Sequence, residues 1–185
     1  MIEESWTSPE LSDYPLANDL FSACRAAALD ADRIARTLAR MESCEGVQGQ
    51  SYDSSGHSGH RCDPHAATDA RMAYETRIAK RQQWDYQLID LVSALAYGKS
   101  FTGSSGIAAL DIAALAKGKK GKRGDGTAYA DVIWWRCCAA ASWDEVAHWC
   151  GKSRRWCVDA YTDACRVVDL YGAKRVLEGV RLSEG

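Results

Sequence analysis

Apolar residues recur at helical spacing between residues 16 and 43. They are Leu20, Cys24, Ala27, Ala31, Ile34, Leu38 and Met41. Steps of three and four residues place these side chains on one face, and the small ones allow a close helix–helix contact. The pattern therefore predicts a long helix. Arg25, Arg33, Arg36 and Arg40 lie off this face, and we interpret them as solvated, with phosphate contact as the alternative.

A second long helix is predicted from about Ala66 to Tyr97. Asp63 or Pro64 would begin this helix and Gly98 would end it. Its predicted apolar positions are Trp84, Leu88, Leu91 and Leu95. The two long helices could pair as an antiparallel hairpin in one chain or contribute to a dimeric coiled coil, and the pattern does not distinguish these arrangements.

Two stretches lack helical periodicity. Residues 46–64 are rich in Gly and Ser and are interpreted as a mobile loop. Residues 117–127 combine glycines with Lys117, Lys119, Lys120, Lys122 and Arg123, which predicts a flexible basic linker. A short Ala-rich helix within "SSGIAALDIAALAKG" is expected before this linker. Residues 1–116 then form a helical hairpin and oligomerisation region.

Residues 128–185 have the pattern of a compact helical unit. The stretch "AYADVIWWRCCAA" predicts one helix, and Ser142 with Glu145 forms a capping box for the next. Gly151 ends that helix, and Ser153 caps a long helix that stops at Gly172. The predicted buried face of this long helix contains Cys157, Ala160, Tyr161, Ala164, Cys165 and Val168. A short last helix is expected in "AKRVLEG".

No stretch alternates like a strand, so the predicted fold class is all-α, with a long N-terminal helical hairpin and a C-terminal helix-turn-helix bundle. The chain has 185 residues and a formal net charge of −2, which excludes a broadly basic nucleic-acid binder. Its start lacks signal-peptide features, and no apolar run could span a bilayer. We therefore expect a cytoplasmic protein whose eight cysteines remain reduced.

The Gly-Lys-Ser at 151–153 does not satisfy the pattern of a phosphate-binding loop. Such a loop needs a glycine five positions before its Gly-Lys-Ser, where this chain has Val146. A second Gly-Lys-Ser at 98–100 has Ser93 at that position. We therefore predict no nucleotide cofactor.

Four residues of metal-ligand type, His57, His60, Cys62 and His65, fall within one loop. Structural zinc sites usually use two separated ligand pairs on an anchored framework, which this loop lacks. A plain polar loop is thus favoured, and no metal is assigned. No nucleophile elbow is present either, so the sequence predicts neither an enzyme nor a cofactor.

Two helices joined by a tight glycine turn are typical of a helix-turn-helix, whose second helix enters the major groove. Here that helix begins with Lys152, Ser153, Arg154 and Arg155. Arginine can contact guanine edges, and lysine can contact phosphate. The linker residues Lys119, Lys120, Lys122 and Arg123 are further candidates for phosphate contacts.

The stretch "AYADVIWWRCCAAASWDEVAHWCGKSRRWCVDAYTDACRVVDLYG" resembles the C-terminal helix-turn-helix of phage and prophage late-transcription regulators of the RinA/ArpU type, which is related to sigma-factor region four. The matching positions are Ser142, Trp143, Glu145, Val146, Ala147, Gly151, Ser153 and Arg155. The resemblance implies a sequence-specific regulator that binds double-stranded DNA and contacts RNA polymerase.

The sequence departs from this resemblance in its charge. Asp159 and Asp163 follow the arginines, and residues 128–185 contain eight Lys/Arg and eight Asp/Glu. DNA binding would then require a homo-oligomer, the basic linker or polymerase. Two alternatives stay open, namely a small-terminase-like packaging component and a protein-binding adaptor built on a helix-turn-helix.

Overall fold

The computed structural model describes residues 8–45, 64–119 and 126–179, and these residues form an all-helical fold, which confirms the predicted class. Short 3-10 turns lie at Leu11–Asp13 and Ile107–Ala109, and α4 continues into a π-helical turn at Trp134–Cys138. The helices are α1 (Ala17–Glu45), α2 (Pro64–Tyr97), α3 (Ile112–Leu115), α4 (Thr127–Ile133), α5 (Trp143–Cys150), α6 (Arg154–Tyr171) and α7 (Ala173–Glu178).

The two long helices pack side by side, and α1 buries the predicted face. Leu20, Cys24, Ala27, Ala31 and Ile34 are buried, whereas the later Leu38 and Met41 are half-buried. Arg81 Nε on α2 lies 3.2 Å from Asp30 Oδ2 on α1, and Gln82 Nε2 donates to the Ala31 carbonyl. Nearer the start of α1, Cys24 meets Ser93 of α2 at a shared contact with Cys138. A later position on α1 thus meets an earlier position on α2, so the helices are antiparallel within one chain.

The buried face of α2 is rotated from the predicted one. Leu88 and Leu95 are buried as expected, but Trp84 and Leu91 are only half-buried. The other buried residues of this helix are Asp85, Val92, Ser93 and Ala96. An apolar pattern does not reveal this face, because two of its members are polar.

The predicted Ala-rich helix is divided into a 3-10 turn and α3. The break occurs because the Asp111 carboxylate accepts the Ala114 N–H at 3.1 Å and so begins a new helix. Gly126 lies directly against this region, since a Cβ there would be 2.1 Å from the Ile107 carbonyl oxygen. Helix α4 therefore begins at Thr127, inside the segment predicted to be linker.

A single apolar cluster joins the N-terminal and C-terminal parts of the chain. It contains Phe21 from α1, Leu88 from α2, Ile133 from α4, Val168 from α6 and Leu177 from α7. The predicted hairpin region and helix-turn-helix region consequently share a core, so the boundary at 117–127 separates chain segments and not independently packed units.

Two thiols meet where α1 contacts the π-helical turn. Cys24 Sγ and Cys138 Sγ are 3.9 Å apart and buried, and Ser93 Oγ lies 3.4 Å from Cys138 Sγ. The contact with Cys138 and burial raise the pKa of the Cys24 thiol. Cysteine packs here as a small apolar residue, which agrees with the interpretation of the sequence.

The segment between α4 and α5 is held by two arginines. Arg136 Nη1 donates to the Ala141 carbonyl at 2.7 Å, and Arg25 Nη2 of α1 donates to the Ala140 carbonyl at 3.4 Å. Ala140 has a φ of 53°, in the left-handed region that non-glycine residues rarely occupy. Arg25 is half-buried, so the expectation that it is solvated was wrong: the side chain reaches across to the chain segment that precedes α5.

A carboxylate is buried between the long helices. Asp85 is fully buried, and neither of its carboxyl oxygens accepts a hydrogen bond from the described residues. Its nearest cation is Arg81, with Nε 3.5 Å from Asp85 Oδ1. Burial raises the pKa of Asp85 from 3.8 to about 6, Asp30 adds to the rise, and Arg81 and Arg33 oppose it.

This raised pKa predicts that ionisation of Asp85 destabilises the fold as pH rises from 4 to 7. Between pH 4 and 6 the folded state keeps a proton that the unfolded state releases, so the free energy of unfolding falls by up to roughly 3 kcal/mol as pH rises. Asp85→Asn should remove this loss. In urea unfolding, the free energy of unfolding of the variant should therefore increase relative to that of the parent protein as pH rises through this window.

Asp90→Asn is the matched control, because Asp90 is exposed on the same helix. The change with pH that Asp85→Asn shows beyond that of Asp90→Asn then belongs to the buried carboxylate. A stability difference between Asp85→Asn and parent that is constant from pH 4 to 7 would contradict the assignment.

Candidate nucleic-acid interface

A second, smaller apolar cluster holds α4, α5 and α6 together. Its buried members are Val132, Val146, Cys157 and Ala160. The half-buried Tyr129, Trp135, Trp143, Ala147, Cys150 and Trp156 surround these residues. This cluster fixes the direction in which the turn between α5 and α6 faces solvent.

Helix α5 begins with the predicted capping box. The Ser142 hydroxyl accepts the Glu145 N–H at 3.4 Å, and the Glu145 carboxylate accepts the Ser142 N–H at 2.7 Å. The hydrogen bond from the Ser142 N–H, and after it the interaction with the Ser142 hydroxyl, hold the pKa of the Glu145 carboxyl below its usual value. The cap satisfies N–H groups that have no partner inside the helix.

The Gly-Lys-Ser at 151–153 is the turn between α5 and α6. Gly151 adopts a φ of 61°, and the Lys152 N–H donates to the Ala147 carbonyl at 3.1 Å, which closes α5. The Ser153 hydroxyl accepts the Trp156 N–H at 3.2 Å and caps α6. Each residue of the motif thus has a structural role, as the sequence analysis predicted.

We call Lys152, Ser153, Arg154 and Arg155 the α6 tip. All four residues are exposed, and the Arg155 side chain retains 92 % of its accessible surface. Arg154 Nη1 is 3.5 Å from Asp144 Oδ1 of α5, and Arg155 Nε is 4.0 Å from Asp159 Oδ2 of α6. These four consecutive residues are therefore all accessible at the turn between α5 and α6.

The two ion pairs of the α6 tip are weak. Ion pairs between exposed side chains contribute about 0–1 kcal/mol and are screened by salt. Arg154 and Asp144 are 64 % and 80 % exposed, which places the pair in this class. A phosphate or a base edge could therefore replace either carboxylate at little cost.

Aromatic packing supports the α6 tip from below. The Trp156 ring lies 5.5 Å from the Tyr129 ring, and Lys152 Nζ lies 5.4 Å from the Trp156 centroid. Trp143 contacts the Tyr161 ring edge-on and stacks under the Arg136 guanidinium. Trp143 and Trp156 therefore pack beneath the turn and are half-buried.

Trp149, near the C-terminal end of α5, is 61 % exposed. One face stacks on Trp135 at a centroid distance of 5.4 Å and an interplanar angle of 13°, and His148 contacts its edge. Trp149 therefore presents its other face to solvent.

Of the linker residues predicted to contact phosphate, Lys119 falls within the described residues. Lys119 is exposed just after α3, where its N–H donates to the Ala114 carbonyl. Lys120, Lys122 and Arg123 lie outside the described residues. So do the loop candidates for a metal site, His57, His60 and Cys62, and the side chain of His65. Among the described residues, no group of three or more metal-ligand side chains comes together.

Sequence reasoning missed the carboxylates that pair with the arginines of the α6 tip. The i,i+4 spacing of Arg155 and Asp159 was a usable signal for one pair. Asp144 and Arg154 come together only because the turn brings the start of α5 near the start of α6. Val158 and Thr162, exposed on the next two turns of α6, also had no distinguishing pattern.

Gly151→Ala should lower the free energy of unfolding by about 1 kcal/mol, because an L side chain disfavours the left-handed backbone. A Cβ at this position would meet no atom within 4 Å, so no steric clash contributes. Gly151→Asn should lose less, since asparagine adopts this conformation more readily. If urea unfolding shows that the Gly151→Ala variant is as stable as the parent protein, the described turn would be contradicted.

No protein-family model, curated protein or solved structure matches this chain. Its function is therefore inferred from the geometry of its own residues.

Proposed function

We propose that α5, the turn at 151–153 and α6 form a helix-turn-helix that binds double-stranded DNA, and that the chain is a sequence-specific transcriptional regulator. The observation that carries this proposal is the exposed α6 tip, which projects three cations beyond a tight turn at the start of a well-anchored helix. The resemblance of residues 128–172 to RinA/ArpU-type regulators favours phage or prophage late genes as the target.

Each residue of the α6 tip has a distinct expected contact. Arg155, whose side chain is more exposed than that of Arg154, is suited to a bidentate contact with a guanine edge. Lys152 and Arg154 are suited to phosphates, and so are Lys119, Lys120, Lys122 and Arg123 after α3. Free N–H groups at the start of α6 also favour a phosphate near Ser153.

The charge around the α6 tip limits the affinity of a single copy. Asp144 and Asp159 lie close to the two arginines, so few phosphates would be neutralised. A second copy, the basic residues after α3 or contact with RNA polymerase would supply the missing affinity.

None of the described helices is long and apolar enough to cross a bilayer.

Arg155→Ala should weaken specific DNA binding by about 1–3 kcal/mol, because it removes one bidentate base contact. Gel shifts at physiological salt, on a duplex selected by sequencing DNA crosslinked to the protein, would measure this loss. Arg175→Ala is the matched control, since Arg175 is exposed on α7 outside the tip. Equal affinities of Arg155→Ala and parent would show that α6 is placed wrongly on DNA.

Asp144→Asn and Asp159→Asn should each strengthen binding to non-specific duplex, by up to about fivefold, because each releases one arginine from a weak ion pair and removes a negative charge. Titrations between 50 and 200 mM salt should show a steeper dependence for the double variant. Asp169→Asn would not serve as the control, because this carboxylate accepts the Ala17 N–H and so links α6 to α1.

A protein-binding adaptor is the second candidate, and the exposed Trp149 favours it. Tryptophan is enriched at protein interfaces, and this side chain stands 61 % exposed beside two acids of α5. An adaptor would show no salt-dependent affinity for any duplex. A ring-shaped oligomer in native mass spectrometry would instead favour a small-terminase-like packaging component.

A further inference from the structure

The exposed face of α6 is basic in its first turn and includes less polar side chains after it. Arg155 is followed on this face by Val158, Asp159 and Thr162, all exposed, while Cys157 and Ala160 face the cluster beneath. Val158 is 37 % exposed, although the other side of the helix offers an apolar environment. A single exposed aliphatic residue is ordinary on a protein surface and does not by itself indicate a site. Val158 is therefore considered together with Thr162.

Thr162 lies one turn beyond Val158, and its hydroxyl is already used. Thr162 Oγ1 donates to the Val158 carbonyl at 2.9 Å. With the hydroxyl proton committed to the backbone, the γ-methyl group is the part of the side chain left for an apolar contact. The Val158 and Thr162 methyl groups thus form a small apolar patch on a face that is otherwise charged.

This apolar patch lies within reach of the bases that the α6 tip would contact. A helix rises 1.5 Å per residue, so Thr162 lies about 10 Å along the axis from Arg155, which is about three base-pair steps. In the major groove the 5-methyl group of thymine is the apolar element of the base edges, and aliphatic and threonine methyl groups are its usual partners.

We infer that Val158 and Thr162 are specificity-determining residues that contact the 5-methyl groups of thymines beside the base bound by Arg155. This inference rests on the proposed DNA binding and adds the base that is recognised.

The experiment removes the methyl group from the DNA and leaves the protein unchanged. A duplex enriched by selection with the full chain is remade with deoxyuridine in place of thymidine, one position at a time. Loss of the contacted methyl should weaken binding about fourfold, which corresponds to the burial of one methyl group at about 0.8 kcal/mol. Because the protein is not altered, misfolding cannot explain the result.

Val158→Ala and Thr162→Ser identify the residues responsible. Thr162→Ser removes the methyl and keeps the hydroxyl, so each variant should bind its thymidine and deoxyuridine duplexes equally. Leu170→Ala is the matched control, since Leu170 is an exposed aliphatic residue two turns further along α6. This control should retain the parent's preference for thymidine.

The outcomes separate this inference from the function on which it rests. Selection that enriches no duplex overturns the DNA-binding proposal and the inference with it. An enriched duplex that binds equally well with deoxyuridine at every position overturns the inference alone. A thymidine preference that persists in both Val158→Ala and Thr162→Ser also overturns it, because other residues would then contact the methyl groups.

Discussion

Helix α6 is buried at two places along its length, and the rest of the C-terminal structure depends on this double contact. Its first half packs Cys157 and Ala160 against α4 and α5, while its second half packs Ala164 and Val168 into the core shared with α1 and α2. The Asp169 carboxylate also accepts the Ala17 N–H at 2.7 Å. The α6 tip is therefore held in a fixed orientation relative to the long helices.

Periodicity and capping chemistry were sufficient to predict the local structure of this chain. The Ser142–Glu145 box, the Gly151 turn and the Ser153 cap follow from contacts between residues close in sequence, so spacing alone determines them. The buried face of α1 followed from its apolar steps for the same reason. These features are stabilised by interactions between residues that are close in sequence.

Contacts between distant residues were not predictable in this way. Arg25 was expected to be solvated, yet its side chain reaches the Ala140 carbonyl, and no pattern in the sequence marked Asp85, which is buried between helices. Gly126 was assigned to a flexible linker, although a Cβ there would collide with the Ile107 carbonyl. At the candidate site, the cations were visible in the sequence, but the Asp144–Arg154 pair depends on how two helices meet.

The near balance of charge around the α6 tip has a consequence for how a DNA-binding protein of this kind would locate its site. Non-specific attraction to phosphate is what retains a protein on DNA while it slides. With carboxylates beside both arginines of the tip, that attraction is small, so each encounter would be brief and the search would proceed mainly by repeated diffusion through solution. Occupancy of the correct site would then depend steeply on the cellular concentration of the protein, which couples its action to the timing of its synthesis.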